Sequence, residues 1–80
     1  MHEAKLCLEL LRIAEEHRTR AGAGRITALR VQVGTLCGVS PSAIARAFPI
    51  CAAGTAADGA LLRIDEASGR ELRLADMEVI

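Results

Sequence analysis

The sequence has no tryptophan and no tyrosine, and its one aromatic residue is Phe48. A core must therefore be built from Leu, Ile, Val and Ala, with little volume per side chain. A charge surplus is also missing, because ten Lys and Arg balance ten Asp and Glu. That balance excludes an electrostatic nucleic-acid binder, which carries a basic excess. No apolar run approaches the ~20 residues of a membrane span, and no basic start leads into an apolar signal stretch. These absences predict a cytoplasmic protein that binds neither nucleic acid nor membrane. Cysteine is sparse and odd in number: Cys7, Cys37 and Cys51 are widely spaced and form no C-x-x-C pair. A secreted disulfide scaffold needs a denser, even set, so the three read as small buried hydrophobes in a reducing compartment. Catalytic constellations are absent too. There is no G-x-S-x-G, and Gly22-Ala23-Gly24 precedes a strand, not a helix, so it cannot cradle a phosphate. The chain does not read as an enzyme.

What remains is 80 residues, 51% of them apolar, enough to collapse into one small domain. At this size a core seldom supplies more than about 3–5 kcal/mol without a staple. From Glu3 to His17 the apolar spacing is helical: Leu6, Leu10, Ile13, Ala14 and His17 share a face that Leu8 and Leu11 widen. Lys5, Glu9, Arg12, Glu15, Glu16 and Arg18 form the charged side. Gly22 and Gly24 stop the helix. Arg25–Val33 alternates, with Leu29, Val31 and Val33 on one side and Ala28, Arg30 and Gln32 on the other. Ser40-Pro41 predicts a helix start, a hydroxyl cap followed by a preset φ. Ile44, Ala47, Phe48 and Cys51 line that helix inside, and Pro49 is expected to kink or loosen it. Ala60–Glu66 and Glu71–Ile80 read as strands. In the last one Met77 and Val79 change parity, which predicts a bulge near Ala75-Asp76. The expected fold is α+β, in the order α-β-α-β-β, with two helices on one face of a three-stranded sheet.

Met1-His2-Glu3 is the one segment with metal chemistry. A free α-amine, the amides that follow it and an early imidazole close fused chelate rings, with the Glu3 amide completing a square. Nitrogen donors in that array suit Ni(II) or Cu(II) better than tetrahedral Zn(II). Amine and amides must lose protons to bind, so affinity should rise with pH. His17 favours a helix C-terminal dipole, Cys7 reads as core, and Met77 as sheet packing.

Met1-His2-Glu3 and Leu6-Cys7 resemble the opening of the HypA/HybF family of hydrogenase nickel-insertion proteins. The likeness continues through Val31-Gln32-Val33-Gly34-Thr35-Leu36-Cys37-Gly38-Val39, Ala47-Phe48 and Gly54-Thr55-Ala56-Ala57-Asp58-Gly59-Ala60. It ends in Gly69-Arg70-Glu71-Leu72-Arg73-Leu74 and Met77-Glu78-Val79. The resemblance implies a nickel metallochaperone with Ni(II) on the Met1 amine, His2 and the Glu3 backbone. It further implies a maturation GTPase and the hydrogenase large subunit as partners, with urease metallocentre assembly a related setting.

The family inserts a zinc domain with two C-x-x-C pairs between its last two strands, and here only Ala67-Ser68-Gly69 stands in that place. A zinc site is therefore not expected. Many members have an acidic residue where Ser40 stands, so Ser40 is a candidate for orienting the nickel-binding histidine, although it brings no charge; a helix N-cap also accounts for it. The alternative function is a non-metal interaction module that kept the fold and binds the GTPase or a full-length relative. Without the insertion, the last two strands are expected to form a short hairpin and leave an open sheet edge, which favours a homodimer.

Overall fold

The computed structural model describes residues 2–80, with His2 described in its backbone only. The elements are α1 (His2–Ala21), β1 (Ile26–Gly34), α2 (Pro41–Ala52), β2 (Leu61–Ala67) and β3 (Leu72–Val79). This is the expected α-β-α-β-β order.

Helix α1 runs a full turn beyond the expected end at His17. The Arg18 guanidinium bonds Glu15 and reaches the Ala23 carbonyl at 2.7 Å, and Thr19 Oγ1 donates to the Glu15 carbonyl at 2.9 Å. The helix then closes on Gly22 (φ +68°), with Gly22 N–H to Thr19 O at 3.1 Å and Ala23 N–H to Arg18 O at 3.2 Å. These two bonds satisfy terminal carbonyls in the Schellman pattern, which needs a residue at positive φ. His17 is thus an exposed side chain one turn before the helix end, not part of the apolar face. Leu8 also departs from expectation, being 57% exposed. Among the described side chains of α1 only Cys7, Leu10 and Ala14 are fully buried, because one layer of helix and one of sheet cover a narrow stripe.

β1 is the middle of the sheet, whose order is β2-β1-β3. β2 lies parallel to β1, with Leu29 against Leu62 and Val31 against Ile64. β3 lies antiparallel, with Leu29 against Met77, Val31 against Leu74 and Val33 against Leu72. These residues face the helices, and they join Ile44, Phe48 and Ala52 of α2 in one core. Arg30 pairs with Asp76 and Gln32 with Arg73 in the register, so Ala75 is an extra residue in β3. That is the predicted bulge, and it returns Met77 and Val79 to the core side.

The expected β2–β3 hairpin does not form. The helix between β1 and β2 lets those strands run parallel, and β3 then takes the opposite edge of β1. Residues 68–71 therefore strap across the end of β1 between the two outer strands. Gly34 N–H donates to the Glu71 carbonyl, Thr35 N–H to Ala67 and Leu36 N–H to Gly69, each at 2.8 Å. Helix α2 runs unbroken through Pro49. The proline ring is exposed, and the Ala45 carbonyl that it deprives of a donor lies in an exposed residue, where water can bond it.

Candidate metal site at the start of the first helix

The first turn of α1 lies against α2. Glu3 and Ala4 share an open groove of about 310 Å³ with Ala43, Arg46, Ala47, Ile50 and Cys51. The small side chains at 43 and 47 let the helices approach. Sulfur contacts tie them together: Cys7 Sγ stands 3.7 Å from the Ile44 carbonyl, and Cys51 Sγ 4.0 Å from the Ala4 carbonyl. Burial pushes the Cys7 thiol up to about 11, with smaller contributions from neighbouring Cys51 and Glu3. Cys7 is therefore a neutral packing group at ordinary pH, not a thiolate ligand. Lys5 and Leu6 line a second groove with Cys37, Gly38 and Val39, the loop that leads into α2. Two surfaces thus converge on the opening residues of the chain.

Met1 lies outside the described residues, and so does the side chain of His2. The backbone of His2 and Glu3 forms the first two positions of α1. An α-helix gives its first four N–H groups no intrahelical acceptor. The amides at His2 and Glu3 can therefore exchange a proton for a metal without costing a helical bond. Further along the helix that exchange would break one.

Ser40 is the N-cap of α2, with φ −77° and ψ 149°, and its hydroxyl accepts the Ala43 N–H at 3.2 Å. The same oxygen is 3.3 Å from Ser42 Oγ. Its capping role is thus visible in the structure. Among the described residues no three His, Cys, Asp or Glu side chains gather in a metal-binding group. The groove escaped the sequence reading, although its signal is present. Ala43, Ala47 and Ile50-Cys51 follow the i, i+4, i+7 row of a helix face, but nothing in the sequence says that this face meets α1.

The Gly54–Gly59 segment proves to be a self-bonded turn. Asp58 Oδ2 accepts the Gly54 N–H at 2.9 Å, and Thr55 Oγ1 donates to the Ala52 carbonyl at 2.7 Å while accepting the Ala57 N–H at 3.1 Å. It caps α2 and buries Ala57.

Residues 1–73 match the HypA family, described as hydrogenase/urease nickel incorporation, metallochaperone. The chain is 45% identical over 69 residues to a hydrogenase maturation factor HypA of Deinococcus radiodurans, covering 86% of this chain and 58% of that protein. It is 41% identical over 66 residues to one from Roseiflexus, covering 82% of this chain and 54% of that protein. A third, from Polaromonas naphthalenivorans, is 38% identical across 80 residues, 100% of this chain and 70% of its own length. The chain thus spans little more than half the length of the first two relatives. Among solved structures it superposes on the solution structure of the nickel metallochaperone HypA from Helicobacter pylori. The TM-score is 0.85 and the identity 17%, covering 98% of this chain and 97% of that one. A second solution structure of a HypA protein gives a TM-score of 0.80 at 19% identity, covering 100% and 97%. At these identities the structures speak to the fold, which agrees.

Proposed function

The chain belongs to the HypA family, and from that premise we propose that it holds one Ni(II) at its amino terminus for transfer during [NiFe]-hydrogenase metallocentre assembly. The donors in this reading are the Met1 amine, the amide nitrogens of His2 and Glu3, and the His2 imidazole. The observation that carries it is the start of α1 at His2, which leaves those two amides without helical acceptors. Two deprotonated amides with a neutral amine and imidazole balance the charge of Ni(II). The positive end of the α1 dipole also favours the negative amides. The role is binding and release, not catalysis. A metal held by few residues at a chain end is readily taken by a client site with more ligands. By the same reading the partners are a maturation GTPase and the hydrogenase large subunit. Ser40 is proposed only as a neighbour that orients His2, since its visible work is to cap α2.

The distance between the strands bears on zinc. Only residues 68–71 separate β2 from β3, so no zinc-binding insertion fits there, and we propose that nickel handling proceeds without one. No described helix is long and apolar enough to cross a membrane.

Titration of the untagged chain with Ni(II) is the test. One equivalent should bind with a square-planar absorption band, and affinity should rise with pH because amine and amides must lose protons to bind. His2→Ala should lose this site, and so should a variant with an amino-terminal extension of several residues, which carries the amine out of chelate reach of the imidazole. If either variant binds nickel like the parent, the site is elsewhere.

One observation favours the interaction-module alternative. Ile50 is 78% exposed beside the groove at the α1–α2 junction, an apolar lip next to the proposed site. Binding of the purified maturation GTPase that survives His2→Ala and fails in Ile50→Glu would support that reading.

A further inference from the structure

We propose that β3 is a self-complementary edge, and that two copies of the chain pair antiparallel along it into one six-stranded sheet. The inference does not depend on nickel. β3 is an outer strand, and outside its ladder with β1 no hydrogen bond from the described chain reaches Leu72, Leu74, Met77 or Val79.

The two ends of the strand are turned alike. Ile80 exchanges both backbone bonds with Arg25, at 3.1 and 3.3 Å, and Glu71 accepts from Gly34 at 2.8 Å. Antiparallel residues alternate between inward and outward backbone groups. The adjacent residues, Val79 at one end and Leu72 at the other, therefore present their N–H and C=O groups outward.

The bulge makes the side chains match as well. Arg73 and Glu78 are five residues apart and would stand on opposite faces of a regular strand. The extra Ala75 brings both to the face away from the helices, where the register sets Arg73 beside Gln32 and Glu78 beside Ala28. Leu72, Leu74, Met77 and Val79 all fall on the helix side. A two-fold axis between Ala75 and Asp76 then sets Leu72 against Val79, Arg73 against Glu78 and Leu74 against Met77, each contact occurring twice. Arg73 and Glu78 are both exposed, and neither belongs to an ion pair among the described residues. Arg30, by contrast, is already engaged with Asp76 and Asp65.

β2 lacks this symmetry. The same operation about Ile64 would set Leu62 against Glu66 on the helix side. Charges and a bulge on an edge normally keep strands apart, and here the matching register sets opposite charges side by side. The axis stands perpendicular to the sheet, so both pairs of helices share a face and the assembly closes as a dimer.

The test is sedimentation equilibrium of the metal-free chain over a wide concentration range. The parent should move from monomer to dimer. Arg73→Glu and Glu78→Arg should each weaken the dimer by about tenfold or more, because each sets two like-charge contacts across the seam. The double variant R73E/E78R should restore it. Amide exchange gives a second readout should a variant fold poorly: in the parent, Leu72 and Val79 should become protected as concentration rises, while β2 amides do not change. A parent that stays monomeric at millimolar concentration, single variants that dimerise like the parent, a double variant that stays weak, or protection that grows on β2 would each overturn the proposal.

Discussion

Gly34 is fixed by its neighbours and not by its own backbone angles. A β-carbon there would stand 2.8 Å from the Gly69 carbonyl carbon and 2.9 Å from the Glu71 carbonyl oxygen, and closer still to the Gly69 oxygen. These are backbone atoms of the strap over β1, and they cannot swing aside like a side chain. Gly34→Ala should therefore lose about 1–3 kcal/mol, as overpacked cores do, read as a lower urea midpoint with unchanged slope. Cys7 gives a second prediction at this scale. Its thiol, ordinarily near 9.0, is pushed up to about 11 by burial between α1 and α2. A group whose folded pKa is raised keeps its full contribution below the unfolded value, and loses it as pH rises through the folded one. Stability should thus fall between about pH 9 and pH 11, by roughly 2–3 kcal/mol. Cys7→Ala should remove that slope while costing some packing. Urea titrations of both proteins across this range decide it, and parallel slopes would refute the assignment.

Helix α2 shows how an element can carry a local penalty. Pro49 removes the bond that Ala45 would accept, yet Ile44, Phe48 and Ala52 hold the helix against the sheet. Pro49→Ala should restore that bond and stabilise the protein by about 1–3 kcal/mol, visible as a higher melting temperature. The elements most legible in the sequence were those written in short-range pattern. β1 alternates cleanly, Ser40-Pro41 marks the start of α2, and the parity change after Leu74 located the bulge. What failed was set by pairing at a distance. The β2–β3 hairpin was expected because those strands are adjacent in sequence, but their neighbour is β1. Leu8 and His17 were assigned to the buried side because periodicity gives the direction of a helix face and not the width covered. Of the candidate site, only the chelate chemistry is legible in the sequence, and Met1 and the His2 side chain lie outside the described residues. Met1-His2-Glu3 carried its own chelate chemistry, whereas the groove beside Glu3 exists only because Ala43 and Ala47 let α2 approach α1.

At the scale of the whole molecule, the short aromatic-poor chain raises the question of what replaces a staple. The core contains Phe48 and ten smaller residues, and it closes without any buried polar side chain lacking a partner among the described residues. The ion pairs do little, because those along α1, such as Arg12 with Glu9 and Glu16, are exposed and worth about 0–1 kcal/mol each. The proposed nickel site lies at the chain end and not in the core, so removal and addition of metal should act differently. A chelator should leave the urea midpoint of the purified chain where it was, because no described cluster of ligands ties one element to another. Nickel should raise it by well under the linkage limit of about 2.7 kcal/mol at one hundred times its dissociation constant, because three contiguous residues can also chelate in the unfolded chain. That increment should vanish in His2→Ala, whose metal-free midpoint should match the parent's. If the chelator instead unfolds the parent, a structural metal holds the fold together, and the division between a metal-free core and a nickel-bearing end is wrong.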